Sequence, residues 1–206
     1  MIRRSFFICV SIGFCILLCG CSSLFNTQDS TESYEGKDFE TVNTSKVDST
    51  YSLSPVMRSL REAVMEMLGD QYWPNALYTS EEFEEQTGIS EDMYQSFLAE
   101  YEHTEAGIDR MILVEAKEAE VTNVELLLDQ YREQLLKTYE KQPLNHAKVE
   151  ASRIEVIDNY ICFVQLGADT SVLKDADEDT LVSFCQNQNE QALDILEKKL
   201  YAMKGF

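Results

Sequence analysis

Two imidazoles, two thiols in the body of the chain and a crowd of carboxylates are the groups in this sequence that could do chemistry. Nucleophilic catalysis needs a base held beside the nucleophile. His103 stands among Glu100, Glu102 and Glu105 in a stretch that reads as a polar loop, and His146 stands where the turn after a long helix is expected. Neither belongs to a motif, and a surface histidine is the expectation for both. No Gly-x-Ser-x-Gly elbow occurs. Cys162 and Cys185 lie in apolar runs without a basic neighbour to favour the thiolate. Buried free thiols are expected there, although a single bridge would suit an oxidising compartment.

Metal chemistry finds little support. Zinc would want clustered cysteine or histidine, and the sequence holds no such cluster. Asp175-Ala176-Asp177-Glu178-Asp179 has the alternating carboxylates that open a calcium loop. Thr180 occupies the sixth position, where the sharp turn wants glycine, and Gln186 the twelfth, where a bidentate glutamate should clamp the ion. Acidic residues that lead a helix are stabilised by its dipole without any ion. The expectation is no metal and no cofactor. Carboxylates are too numerous to nominate a glycosidase pair, so no catalytic residue is nominated either.

One aromatic cluster, Tyr72, Trp73, Tyr78 and Phe83, sits in a loop-rich segment. Exposed, it could stack on a sugar or anchor a partner; buried, it would cap a sheet, which is the commoner use. These four residues are the candidate ligand or partner contacts.

Charge narrows the partners. Acidic residues outnumber basic ones 37 to 17, for a formal net charge of −20. Such a balance repels phosphates, so DNA, RNA and anionic headgroups are disfavoured. No basic patch with interleaved aromatics and no phosphate-cradling glycine motif is present.

The first residues read as an address. Met1 to Arg4 is short and positive, and Phe6 to Leu18 is apolar. Charge, apolar stretch and small residues in that order mark a secretory signal peptide, too short for a comfortable membrane span. Leu18-Cys19-Gly20-Cys21 resembles the lipobox of bacterial lipoproteins, with an aliphatic residue at −3, a small one at −1 and the cysteine at +1. The resemblance implies cleavage between Gly20 and Cys21 and diacylglycerol on the Cys21 thiol. Two acyl chains, at about 0.8 kcal/mol per buried CH₂, suffice for stable anchoring. The partner so implied is the membrane, through a lipid anchor on its extracytoplasmic face.

Behind the anchor, residues 21–53 are rich in Ser, Thr, Asn, Asp and Glu, with apolar residues scattered without period. This reads as a disordered tether, spanning roughly 30 Å root-mean-square. A single domain is expected over 54–206. Ser54-Pro55 is a helix start, with Val56, Leu60, Val64 and Met67/Leu68 at helical spacing and Gly69 as its stop. Short helices are expected from about Thr79 and from Ser90 to Tyr101. Met111 to Val114 reads as a strand covered on both faces, and Thr122 to Lys141 as the clearest helix, ended by Pro143 and Asn145. A hairpin turns at Asp158-Asn159, since both residues tolerate positive φ. A last helix runs from Asp177 to Met203, interrupted around Asn187 to Asn189. The sum is an α+β domain: a small antiparallel or mixed sheet of about three strands with helices packed on one face.

From about Ser90 onward the chain resembles a family of Gram-positive bacterial lipoproteins described only by a domain of unknown function. The residues that carry the likeness are Ile108-Asp109-Arg110-Met111-Ile112-Leu113-Val114, then Leu127, Tyr131, Arg132 and Leu135, and the hairpin Ile157-Asp158-Asn159-Tyr160-Ile161. The resemblance implies location and fold, and brings no catalytic signature. Three functions are weighed. The first is a non-catalytic module binding an envelope protein or an extracellular ligand. The second is an extracellular hydrolase or wall-modifying enzyme using Asp and Glu. The third is the solute-binding component of a transporter, for which the domain is small.

Overall fold

The computed structural model describes residues 53–104, 107–167, 169–173 and 175–205. The signal segment, Gly20, Cys21 and nearly all of the polar tether lie outside the described residues.

The first helix, α1 (Pro55–Leu68), begins as its sequence dictates. The Ser54 hydroxyl accepts the Met57 N–H at 3.2 Å, Pro55 occupies the first turn, and Gly69 takes φ 53° at the end. Met57, Leu60, Val64 and Leu68 form its buried stripe. A two-residue strand, β1 (Ala76–Leu77), leads to α2 (Ser80–Thr87). Thr79 and Glu82 close that helix's start with a reciprocal capping box.

The segment after Ser90 differs from expectation. It forms β2 (Tyr94–Tyr101), not a helix. Phe97, Leu98, Ala99 and Glu100 are buried in succession, because both faces of the strand are covered. A strand buried on both sides loses its alternation and cannot be told from a helix by period alone. Its partner is β3 (Arg110–Ala116), with Leu98 opposite Leu113 and Tyr101 opposite Arg110.

Next come α3 (Val121–Tyr139) and α4 (Pro143–Glu150). Pro143 ends nothing here: it sits in the first turn of α4, where a missing N–H costs nothing. The expected hairpin follows as β4 (Arg153–Ile157) and β5 (Tyr160–Gln165), with Asp158 at φ 57° in the turn. The last helix, α5 (Glu178–Lys204), is capped by Asp177, which accepts the Thr180 N–H at 2.8 Å. It is continuous. Asn189, expected to break it, instead points inward, accepting the Leu166 N–H at 2.8 Å and donating to the Ala151 carbonyl at 3.0 Å.

The sheet order is β1-β2-β3-β5-β4, antiparallel throughout. The α+β class holds, with five strands where about three were expected. The helices also lie on both faces, not one. Leu98, Met111, Leu113, Cys162 and Val164 meet α1 and α5, while Phe97, Ile112, Val114, Ile161 and Phe163 meet α2 and α3. Three central strands apolar on both sides require two covering layers. Among the described residues, no helix is long and apolar enough to cross a membrane.

Candidate functional site

The four aromatic residues do not form one patch. Phe83 is fully buried on α2, stacked on Phe97 with ring centroids 4.4 Å apart. Tyr78 is half-buried and stacks on Tyr101 of β2 at 4.5 Å. Tyr72 turns to the other face, where its hydroxyl donates to Glu100; Arg61 of α1 donates to the same carboxylate at 2.7 Å. Burial and the Glu100 charge raise the Tyr72 phenol well above its ordinary value, so it stays a donor. Three of the four are therefore committed to packing or structural bonds.

Trp73 is different. It is half-buried, its indole N–H donates to the Asp70 carbonyl at 3.0 Å, and its ring faces the Lys148 ammonium 4.7 Å away. Lys148 is itself buried on α4, its ammonium 2.5 Å from a carboxylate oxygen of Asp109, which is wholly buried. The second Asp109 oxygen accepts the Gly167 N–H at 2.6 Å. Burial raises the Asp109 carboxyl, and the Lys148 ammonium and the Gly167 N–H only partly oppose it. The Asp109–Lys148 charge pair, with the Trp73 ring over the ammonium, thus lies buried at the end of the sheet where β3 starts and β5 stops.

Beside it lies a second polar group, on the α3 face. Arg110 opens β3, flanked by Tyr101 on β2 and by Gln165 on β5 in register. Its guanidinium carbon sits 5.7 Å from the centre of the Tyr131 ring. Tyr78 lies nearby, and the Tyr139 hydroxyl is in hydrogen-bonding reach of the guanidinium. Among the described residues, no carboxylate lies within 4.0 Å of an Arg110 nitrogen, and Nε and Nη1 are buried without a hydrogen-bond partner. Gln165 Oε1 is buried and unpartnered too, and Tyr131 Oη is buried without a well-aligned hydrogen bond, with the Tyr78 hydroxyl in hydrogen-bonding reach of it. The Gln165 amide is oriented by its N–H₂, which donates to the Ile108 carbonyl at 2.5 Å. Buried polar atoms without well-formed bonds are rare and costly, and here all four belong to three residues packed together. Burial works against the Arg110 charge, yet the phenols of Tyr131, Tyr78 and Tyr139 hold its pKa above the ordinary value. Arg110 as a residue keeps partial exposure, while the four polar atoms themselves are buried.

The histidines part company. His103 is exposed, its ring edge-on to Tyr101. His146 is half-buried, with Nδ1 3.2 Å from Glu178 and 3.8 Å from Glu150, in an open cleft of about 450 Å³ shared with Asp179 and Ser183. One ligand atom from each of His146, Glu150 and Glu178 falls within 4.8 Å of the others. The sequence did not suggest this trio, because Glu178 belongs to a different helix. Asp177, once weighed as a calcium ligand, is engaged as the α5 cap, and the Thr180 hydrogen bonds hold its carboxyl below the ordinary value.

Cys162 and Cys185 are both free and buried, as expected. Burial pushes their thiols up to about 12 and about 11, so neither is a nucleophile near neutrality.

Neither Asp109–Lys148 nor the Arg110 group was nominated from the sequence. A signal existed: Ile108-Asp109-Arg110 places two opposite charges at the mouth of an apolar strand, which is uncommon unless both are paired or used.

No curated protein and no solved structure matches the chain. Residues 68–166 match a family model described as a domain of unknown function (DUF4358). Over that segment, which holds the whole sheet together with Trp73, Asp109, Arg110, Tyr131, Lys148 and Gln165, the chain is similar to that domain.

Proposed function

We propose that the chain is a lipoprotein anchored to the extracytoplasmic face of a membrane through Cys21, and that its α+β domain is a non-catalytic binding module. The address rests on the lipobox-like Leu18-Cys19-Gly20-Cys21 after a short charged and apolar leader, with a polar tether behind it. The binding part rests on one observation: Arg110, Tyr131 and Gln165 bring together, at one end of the sheet, buried polar atoms that lack well-formed hydrogen bonds. Structural side chains seldom converge in that state, whereas binding groups waiting for a partner do. An envelope protein or an extracellular ligand is the partner; nucleic acid is disfavoured by the negative charge. Mass spectrometry of the mature N-terminus should find diacylglycerol on Cys21. Cys21→Ala should leave the protein uncleaved or released from the membrane. An unmodified residue 21, or normal processing and retention of the variant, would overturn the address.

A further inference from the structure

We propose that His146, Glu150 and Glu178 form a site for a divalent transition-metal ion, zinc above all, held between α4 and α5. The site goes beyond the binding reading above and does not depend on it.

Two helices bring the ligands together. His146 and Glu150 are four residues apart on α4, so one helical turn sets both on the same face. Glu178 is the first residue of α5, whose start is fixed by the Asp177 cap. His146 Nδ1 lies 3.2 Å from Glu178 Oε1 and 3.8 Å from Glu150 Oε2, and one ligand atom from each residue falls within 4.8 Å of the others. Tetrahedral zinc, with bonds of about 2.0–2.2 Å, holds neighbouring ligand atoms roughly 3.3 Å apart. The trio is already close to that spacing. The Glu150 and Glu178 side chains, 47% and 66% exposed, are free to close the remainder.

Hydrogen bonding alone leaves the trio incomplete. One ring nitrogen carries at most one proton, so Nδ1 can donate to only one of the two carboxylates. Glu178 is the nearer, and Glu150 stays at 3.8 Å, beyond hydrogen-bond reach. Among the described residues, neither carboxylate has a lysine or arginine within 4.0 Å. A dication would meet the imidazole lone pair and both carboxylates at once.

Access and ligand type narrow the ion. The three side chains line an open cleft of about 450 Å³, so an ion reaches them from solvent. An imidazole nitrogen suits zinc and its transition-metal neighbours, whereas calcium and magnesium take oxygen ligands. The net charge of −20 draws cations to the whole surface, and the imidazole selects among them. Three protein ligands leave tetrahedral zinc one open position.

The test is calorimetric titration of the full chain in detergent with zinc, alone and against a large excess of calcium. Zinc should bind one-to-one in the micromolar range, raise the thermal midpoint and resist displacement by calcium. His146→Ala should weaken zinc by at least about tenfold, since even groups that only orient metal ligands are worth about 10–100-fold. Glu150→Gln and Glu178→Gln should each weaken it too, with the thermal midpoint of the metal-free protein retained. His103→Ala and Glu66→Gln, which remove the other imidazole and an exposed carboxylate of α1, should leave it unchanged. Cobalt in place of zinc should show no thiolate charge-transfer absorption. Weakening by Glu66→Gln as large as that by Glu150→Gln would reduce the binding to bulk charge and overturn the site. So would zinc binding that survives His146→Ala, displacement by calcium, cobalt bound through thiolate, or no saturable zinc binding to the wild-type chain.

Discussion

Lys148 on α4 and Asp109 at the mouth of β3 meet at 2.5 Å with the carboxylate fully buried and the lysine side chain 8% exposed. Thirty-nine residues apart in sequence, they tie the helix that bridges the two layers to the central strand. Desolvation makes such a pair weak as a source of net stability but expensive to break, because one charge is left stranded. Lys148→Ala should therefore destabilise by about 3–5 kcal/mol, read from urea unfolding. Lys148→Met combined with Asp109→Asn should cost clearly less than the sum of the two single changes. Additive losses would mean that the pair is not coupled.

The same pair sets a pH dependence. Burial raises the folded-state carboxyl of Asp109 above its unfolded value. The folded chain therefore holds that proton more tightly. The group's contribution is fully present below the ordinary aspartate pKa of about 4 and is lost as pH rises through the raised folded value. Asp109→Asn stays neutral throughout and should flatten that part of the stability profile. Unfolding free energies measured from mildly acid to neutral pH test this. An equal slope in wild type and variant would assign the titration to other carboxylates.

Phe83 has moved from candidate contact to core. It is completely buried and stacks on Phe97. Phe83→Ala should cost about 3–5 kcal/mol, the usual loss for an aromatic core side chain, with a matching fall in thermal midpoint. A change near zero would mean that the ring is exposed in solution.

How much of this was legible in advance depended on whether the deciding interactions were local. The α1 start was readable because Ser54 and Pro55 act within one turn, and the Asp158-Asn159 hairpin because the turn chemistry is confined to two residues. The strand β2 was not, since Phe97 to Glu100 is buried on both faces by helices distant in sequence. The short helix α4 is not legible from Pro143 alone, because proline marks a helix end and a helix first turn equally well. Asn189 looked like a break because asparagine is a poor helix interior residue; the partners that fix it, Leu166 and Ala151, come from other elements. The candidate site failed for the same reason. Arg110 and Gln165 are 55 positions apart, and only the strand register makes them neighbours.

The hairpin turn supplies the sharpest local test. Asp158 holds φ 57°, a left-handed conformation that aspartate tolerates and branched side chains resist. Its carboxylate also meets the Lys204 ammonium, but both side chains are well exposed and such pairs contribute little. Backbone conformation should therefore dominate. Asp158→Val should destabilise by about 1–2 kcal/mol, the cost of placing a branched residue in that region. Asp158→Gly, free of the Cβ penalty but looser when unfolded, should stay close to wild type. Lys204→Ala should also stay close, which separates the two causes. If Lys204→Ala instead costs as much as Asp158→Val, the ion pair and not the turn holds this end of the sheet.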